Sequence, residues 1–426
     1  MSKASLTRPV LNSSQTTKGL PLAAGLRAGN WVFVSGLLPS DLGDAQRPRS
    51  GEPSWLRQAK SIWTQADEIL RSAGSDISRI VRCDQFFEDW RAAPFFHQAR
   101  RAACGSYIAP STSILQPGTL VPGAGMMTDM IAVAEGGPPV EPIQPASLDL
   151  PATSSFVPLA KAGDLVFVAG FLAACGEGDL GGIAPEAKVP EGHLWKGNRI
   201  QLEARYVIQE KLVPALAGAG LGLEDVIKAN VFLWDIEDVP AFNQVWAQAF
   251  NGQPPATAIV PTSQPGFAIA DATIEINLVA TTKRTQVTKF EQGRASSAVC
   301  QGHPVAVRTG DLLIFSGMVA ADDAGLVRTA RIDEQRRFVA SSIEAQMDYL
   351  LDLAEEVCES AGTSLKNVVR ISQAHTDLSE FLPACRIWER RLPGVPLPIS
   401  AARVPAPLIV PGCSVQLDLW VYAPQS

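Results

Sequence analysis

Asp129, Glu275 and Asp418 each interrupt a short apolar run, in "TDMIAVA", "IEINLVA" and "LDLWVYA". A carboxylate held at a partly closed interface can orient a water molecule. Burial raises its pKa toward the range useful to a general base. A single such acid reads as an exposed strand carboxylate. Three, read as standing in register on otherwise apolar strands, ask what scaffold writes the same phrase three times.

The scaffold is a tandem repeat. "GNWVFVSG" from Gly29, "GDLVFVAG" from Gly163 and "GDLLIFSG" from Gly310 are one motif. Downstream, "AGSDISRIVRCDQFFED", "AGLGLEDVIKANVFLWD" and "AGTSLKNVVRISQAHTD" align without gaps. Each carries a basic residue (Arg82, Lys228, Arg370) and, seven residues beyond it, an aspartate (Asp89, Asp235, Asp377). Every copy reads as a helix stopped by glycine, a strand, a second helix ("APFFHQARRAACG", "PAFNQVWAQAFNG", "PACRIWERRLPG"), a proline-led strand and a closing strand. Spacing varies only in Gly-, Pro- and charge-rich stretches, where insertions cost little. The expected domains are 17–135, 152–282 and 298–424, joined by linkers over 135–151 and 282–297. Each is α+β, its strands alternating as in Trp31, Phe33 and Ser35 against Val32 and Val34. Two helices can cover only one sheet face. The other faces are therefore expected to pack together as a pseudo-trimer within one chain.

Composition narrows the partners. The 426 residues are 46% hydrophobic and 19% charged, with a net charge of -7 and no clustered Lys and Arg for a nucleic-acid surface. No run approaches the roughly 20 apolar residues of a membrane span, and the opening "MSKASLTRPV" has no apolar signal stretch. A cytoplasmic location is expected. Seven cysteines without CxxC spacing fit reduced thiols, and no metal site is expected. "GEGDLGG" from Gly176 lacks both the strand-to-helix context and the lysine of a phosphate loop.

These motifs, in this order and three times over, resemble the Rid family, also called YjgF or endoribonuclease L-PSP. The resemblance rests on the "GDLVFVAG" strand, the "AGLGLEDVIK" helix end, the "VPAFNQVWAQAF" helix and the "IEINLVA" ending. It implies chorismate-mutase-like domains whose sheets form a central barrel, with ligand clefts between neighbours, here fused into one polypeptide. The family's deaminase branch hydrolyses small enamines and imines without a cofactor, gripping the substrate carboxylate with the arginine of a "PAR" motif. Here those places read "PST", "PAT" and "PIS", so Thr112, Thr257 and Ser400 replace the arginine. A hydroxyl cannot form the bidentate ion pair, which implies altered specificity. Arg403, three residues past Ser400, is the one arginine near enough to be weighed as a substitute.

The same resemblance assigns an acid on the closing strand, expected at Asp129, Glu275 and Asp418, and a cleft-lining serine at Ser35 and Ser316 (Ala169 in the second repeat). It places a helix asparagine at Asn243, replaced by His97 and Cys385. His303 takes the place of a cleft-facing tyrosine, where imidazole can move protons near neutral pH. His375 falls at a core position. The favoured reading is a cofactor-free hydrolase or deaminase-type enzyme for a small imine, enamine or amide-like metabolite, working as a monomer or a dimer of the pseudo-trimer. The alternatives are a non-catalytic ligand-binding or protein-interaction pseudo-trimer and, more weakly, a ribonuclease.

Overall fold

The computed structural model describes residues 7–10, 22–42, 51–148, 150, 155–175, 182–193, 195–291, 302–332 and 341–424. Cys300 and most of the stretch from Gly176 lie outside these residues. Each repeat builds one sheet in the same order: a leading hairpin, the closing strand, a central strand and a parallel edge strand. The hairpins end in Trp31–Leu37, Leu165–Phe171 and Leu312–Phe315. The closing strands are Met126–Val133, Ile274–Thr281 and Val415–Tyr422. The central strands are Ile80–Phe87, Val226–Leu233 and Val368–His375, and the parallel strands Ser111–Leu115, Ala256–Pro261 and Ile399–Arg403.

Local chemistry explains the repeated landmarks. Gly74, Gly220 and Gly362 follow the first helix of each repeat with φ of 71°, 72° and 71°, the left-handed conformation that ends helices and that a Cβ disfavours. Asp89, Asp235 and Asp377 each accept the backbone N–H two residues on, at 2.8, 3.0 and 2.9 Å, and so cap the turn into the second helix. The first helix, Ser54–Ser72 in repeat one, buries Leu56, Ala59, Ile62, Ala66 and Ile69 at helical spacing.

Strand alternation divides the core. Val32 and Val34, Val166 and Val168, and Leu313 and Phe315 face their own helices. Phe33, Phe167 and Ile314 turn the other way and join Ile131, Val279 and Trp420 in a single cluster fed by all three repeats. Each such side chain contributes roughly 1.5–3 kcal/mol on burial, which makes contact between repeats a large part of the fold's stability.

Two expectations change. The described strands form open sheets of six, six and seven strands plus a small two-stranded one, not a closed barrel. The main sheets meet through side chains of their inner faces and through backbone hydrogen bonds such as Ser263 N–H to the Leu115 carbonyl and Gly317 N–H to the Thr257 carbonyl. Val140–Ile143 and Thr288–Phe290, in segments expected to be linkers, each add a strand beside the leading hairpin. At another edge, Gly118 and Thr119 of repeat one pair with Arg403 and Ala402 of repeat three. No helix among the described residues is long and apolar enough to cross a membrane.

Candidate functional site

The repeats meet in a directed cycle. Arg82 of repeat one donates to the carbonyls of Val168 (2.7 Å) and Leu278 (3.1 Å) in repeat two. Lys228 of repeat two donates to the Phe315 carbonyl at 2.8 Å and pairs with Asp418 at 2.8 Å, both in repeat three. Arg370 of repeat three pairs with Asp129 at 3.2 Å and stands 3.7 Å from Asp84, both in repeat one. The basic residues spaced identically in sequence are therefore buried bolts between successive repeats.

Strand register corrects the expectation of three equivalent acids. The central strands pair Asp84 with Asp129, Asn230 with Asn277 and Ser372 with Asp418. Phe86, Phe232 and Ala374 pair with Met127, Glu275 and Gln416. Asp129 and Asp418 are thus equivalent, their counterpart in repeat two is Asn277, and Glu275 lies two residues away from that place. Thr257 is likewise displaced. Ala258 pairs with Asn230 as Thr112 pairs with Asp84 and Ser400 with Ser372. The Thr257 hydroxyl instead donates back to the Pro255 carbonyl at 2.9 Å.

This register separates two kinds of carboxylate. Asp129 is fully engaged: one oxygen accepts from the Gly36 N–H (2.8 Å) and the Ser400 hydroxyl (2.5 Å), and the other faces Arg370. Burial raises its pKa, while Arg370, Ser400 and Gly36 pull the other way. Burial opposes the charge on Arg370, but Asp129, Asp418 and Asp84 outweigh it and hold the guanidinium charged. Glu275 is different. It is 5% exposed and has no cation partner among the described residues. Burial, with a smaller push from Asp84, drives its carboxyl up to about 8 against the Ser113 N–H it accepts. Arg82, Lys228 and Arg370 are matched by Asp84, Asp129 and Asp418, so a neutral Glu275 leaves this interior balanced.

Glycine seats this acid. A Cβ on Gly170 would come within 2.0 Å of Glu275 Oε1, so only glycine lets the carboxyl lie over the leading strand. The methyl of Thr112, from repeat one, borders the same space at 3.1 Å from that point. Beside it, Asn277 donates to the Thr112 hydroxyl at 2.8 Å and accepts from Asn230 at 3.0 Å. The seam between repeats one and two therefore holds a protonated, partly hydrogen-bonded carboxyl on a polar shelf. The equivalent side chains elsewhere, Met127 and Gln416, cannot transfer a proton at neutral pH.

The other expected residues are distributed differently. Ser316 donates to the Pro304 carbonyl at 2.7 Å and accepts from the Thr257 N–H at 2.9 Å, so it fastens repeat three to repeat two. The buried Ser35 hydroxyl has no hydrogen-bond partner among the described residues. His303 is buried, and desolvation followed by the nearby Lys228 charge lowers it to about 4, which makes it neutral at pH 7. Asn243 and His97 lie on the second helices, the former buried with both amide atoms unpartnered. Burial lowers His97 to about 3. Arg403 is exposed, and its Nε donates to the Thr376 carbonyl at 3.4 Å. It sits one residue from Ala402, and an odd offset along a strand reverses the face. His375 is buried against Phe381 and Gln373, in the core as expected. Sequence reasoning missed Asp84, Asn277 and the bolting role of Arg82, Lys228 and Arg370. Their identical spacing was visible, but their partners lie in other repeats.

The family profile described as Endoribonuclease L-PSP matches residues 18–134 and again 147–282. The chain belongs to this family. The 3-aminoacrylate deaminase RutC of Acinetobacter baylyi is 32% identical over 154 residues, which are 36% of this chain and 98% of that protein. A RutC family protein of Pyrococcus horikoshii is 33% identical over 120 residues, 28% of this chain and 81% of its own length. Among solved structures, yeast Mmf1 is 24% identical with a TM-score of 0.27, covering 34% of this chain and 98% of that one. Each of these relatives of the L-PSP family chain spans about one repeat of it.

Proposed function

We propose that this chain is a deaminase-type hydrolase for a small imine- or enamine-like metabolite, working at the seam between repeats one and two of an intramolecular pseudo-trimer. One observation carries the reading: Glu275 is a buried carboxyl without a cation, raised to about 8. At neutral pH it is a proton donor whose conjugate base is within reach, the condition for efficient proton transfer in both directions. For an enamine, Glu275 protonates the carbon of the C=C bond and leaves an iminium ion. Water adds to the iminium carbon and returns a proton to the carboxylate. The carbinolamine then expels ammonia and leaves a ketone or aldehyde. The net reaction consumes one water and needs no electron or group carrier.

Specificity follows from what lines the seam. Thr112 stands where the family's arginine would, and the equivalent residues Ala258 and Ser400 are no more cationic. This favours a substrate whose carboxylate, if it has one, is not recognised by a guanidinium fork. The deaminase activity named for the Acinetobacter relative supports the reaction class.

The test is ammonia release from a panel of enamines and imines generated in situ, with and without a carboxylate, by the wild type and Glu275→Gln. Loss of a general acid–base group costs about 10²–10⁴-fold in rate, and that loss is expected for the variant. Wild-type turnover by the variant would remove Glu275 from the chemistry. Ligand binding with no turnover of any panel member by the wild type would favour the non-catalytic alternative.

A further inference from the structure

The inner faces of the sheets enclose a chamber of about 40 Å³, roughly three times the room one water needs. All three repeats line it. Its polar wall includes Asp84 and Gln116 from repeat one, Asn230 from repeat two, and Ser372, Gln416 and Asp418 from repeat three; Phe86 and Phe232 supply apolar wall. Ser400 and Asp418, expected at seams, belong to this wall, whereas Glu275 does not.

The chamber's acceptors are unsatisfied. Asp84 Oδ1, Gln116 Oε1 and Asp418 Oδ1 are buried without a hydrogen-bond partner among the described residues, on residues 4%, 2% and 7% exposed. Arg82 Nε approaches Asp84 Oδ1 only to 3.9 Å, too far for a hydrogen bond. Asp418 meets Lys228 through its other oxygen. Buried polar groups are costly to leave unmet, and three acceptors with one donor, Gln373 Nε2, around one small space call for an occupant that both donates and accepts. Charge decides its class. The carboxylates here already face Arg82, Lys228 and Arg370, so a cation would unbalance the interior. A neutral molecule with N–H donors and a small apolar group suits both walls.

We propose that this chamber binds a small neutral primary amide, its two N–H groups on two of the three unmet acceptors, its carbonyl toward Gln373 Nε2 and its carbon end toward Phe86 and Phe232. Glu275 is not part of this wall, although Asp84 and Asn230 adjoin both, and the site does not depend on any activity at the seam. Because every repeat contributes to the wall, an occupant links all three.

The probe is acetamide, titrated into the full chain by calorimetry and ligand-observed NMR, with N,N-dimethylacetamide and ammonium chloride as parallel arms. Acetamide is expected to saturate one site with a Kd in roughly the millimolar range, as suits a four-atom ligand. Dimethylacetamide, which has no N–H, is expected to bind at least about tenfold more weakly. Gln116→Leu removes one acceptor and is expected to weaken acetamide about five- to tenfold, the usual worth of one neutral hydrogen bond. Ala374→Leu, which fills the wall at another point, is expected to abolish binding and serves if the first variant misfolds. The proposal is overturned by equal binding of dimethylacetamide, by ammonium binding tighter than acetamide, by absence of saturable acetamide binding, or by acetamide affinity unchanged in both folded variants.

Discussion

Replacing Glu275 by Gln is expected to stabilise the protein near neutral pH and leave it unchanged in mild acid. Glu275 is pushed from an ordinary 4.5 up to about 8 by burial. In the unfolded chain it ionises near 4.5, so between these values the native state binds more protons than the unfolded state. Stability therefore falls as pH rises through this window. The contribution is complete below about pH 4.5 and is lost progressively until about pH 8. One pH unit of displacement corresponds to about 1.4 kcal/mol, so the wild type carries a penalty of about 3 kcal/mol at pH 7 and nearly 5 kcal/mol above pH 8. Gln keeps the neutral shape, and its carbonyl can still accept the Ser113 N–H. The assay is urea unfolding of both proteins at intervals from pH 4.5 to 8.5, read as the difference between them, so that pH effects common to both cancel. A difference near zero at pH 4.5 that grows to about 3 kcal/mol at pH 7 and levels off above pH 8 is expected. A difference that stays flat across the window, or a less stable variant at pH 7, would refute a neutral, uncompensated Glu275.

Removing a bolt and removing a cap should differ sharply in size. Arg370→Met strands Asp129 and Asp84 inside the protein and is expected to cost about 3–5 kcal/mol, with much of the loss recovered when Asp129→Asn is added; full additivity in the double variant would show that the pair is not coupled. Asp235→Ala, which removes the cap to the Glu237 N–H, is expected to cost about 1 kcal/mol, measured by denaturant unfolding, and a loss as large as that of Arg370→Met would contradict a purely capping role.

Sequence was most informative where one residue type satisfies a local backbone need. The helix-ending glycines and the capping aspartates adopt one conformation in all three repeats because φ and a free N–H demand them, whatever surrounds them. Face alternation was equally legible, since Phe33 and Val32 must point oppositely. Register was not. Glu275 and Asn277 are two residues apart and share a face, so sliding the repeat by two keeps every side chain on its face while moving the acid, at the cost of setting Ile131 and Trp420 at the place of Asn277. Thr257 and Ala258 posed the same difficulty, resolved only by their pairing with the central strand. The bolts were visible as a pattern but not as a function, because each one's partner lies more than 80 residues away in the next repeat or across the chain. The added strands were hidden for a related reason: Val140–Ile143 and Thr288–Phe290 come from apparent linkers, and no local pattern announces them.

Because the three repeats share one chain, one acid can differ from its counterparts. In an assembly of identical subunits a change at one seam appears at all seams, so losing an aspartate there would leave three unpaired cations together. Here the difference is confined to repeat two, where Asn277 stands at the place of Asp129 and Asp418. Asn277 bonds to Thr112 and Asn230, and Arg82 turns to the carbonyls of Val168 and Leu278, which need no countercharge. The other two seams keep their ion pairs and can hold the fold together while the first is free to keep a carboxyl neutral. A proton donor at this position thus depends on its neighbours' asymmetry: charge balance across the interior is met by the remaining pairs, and Glu275 is left without a cation to ionise it.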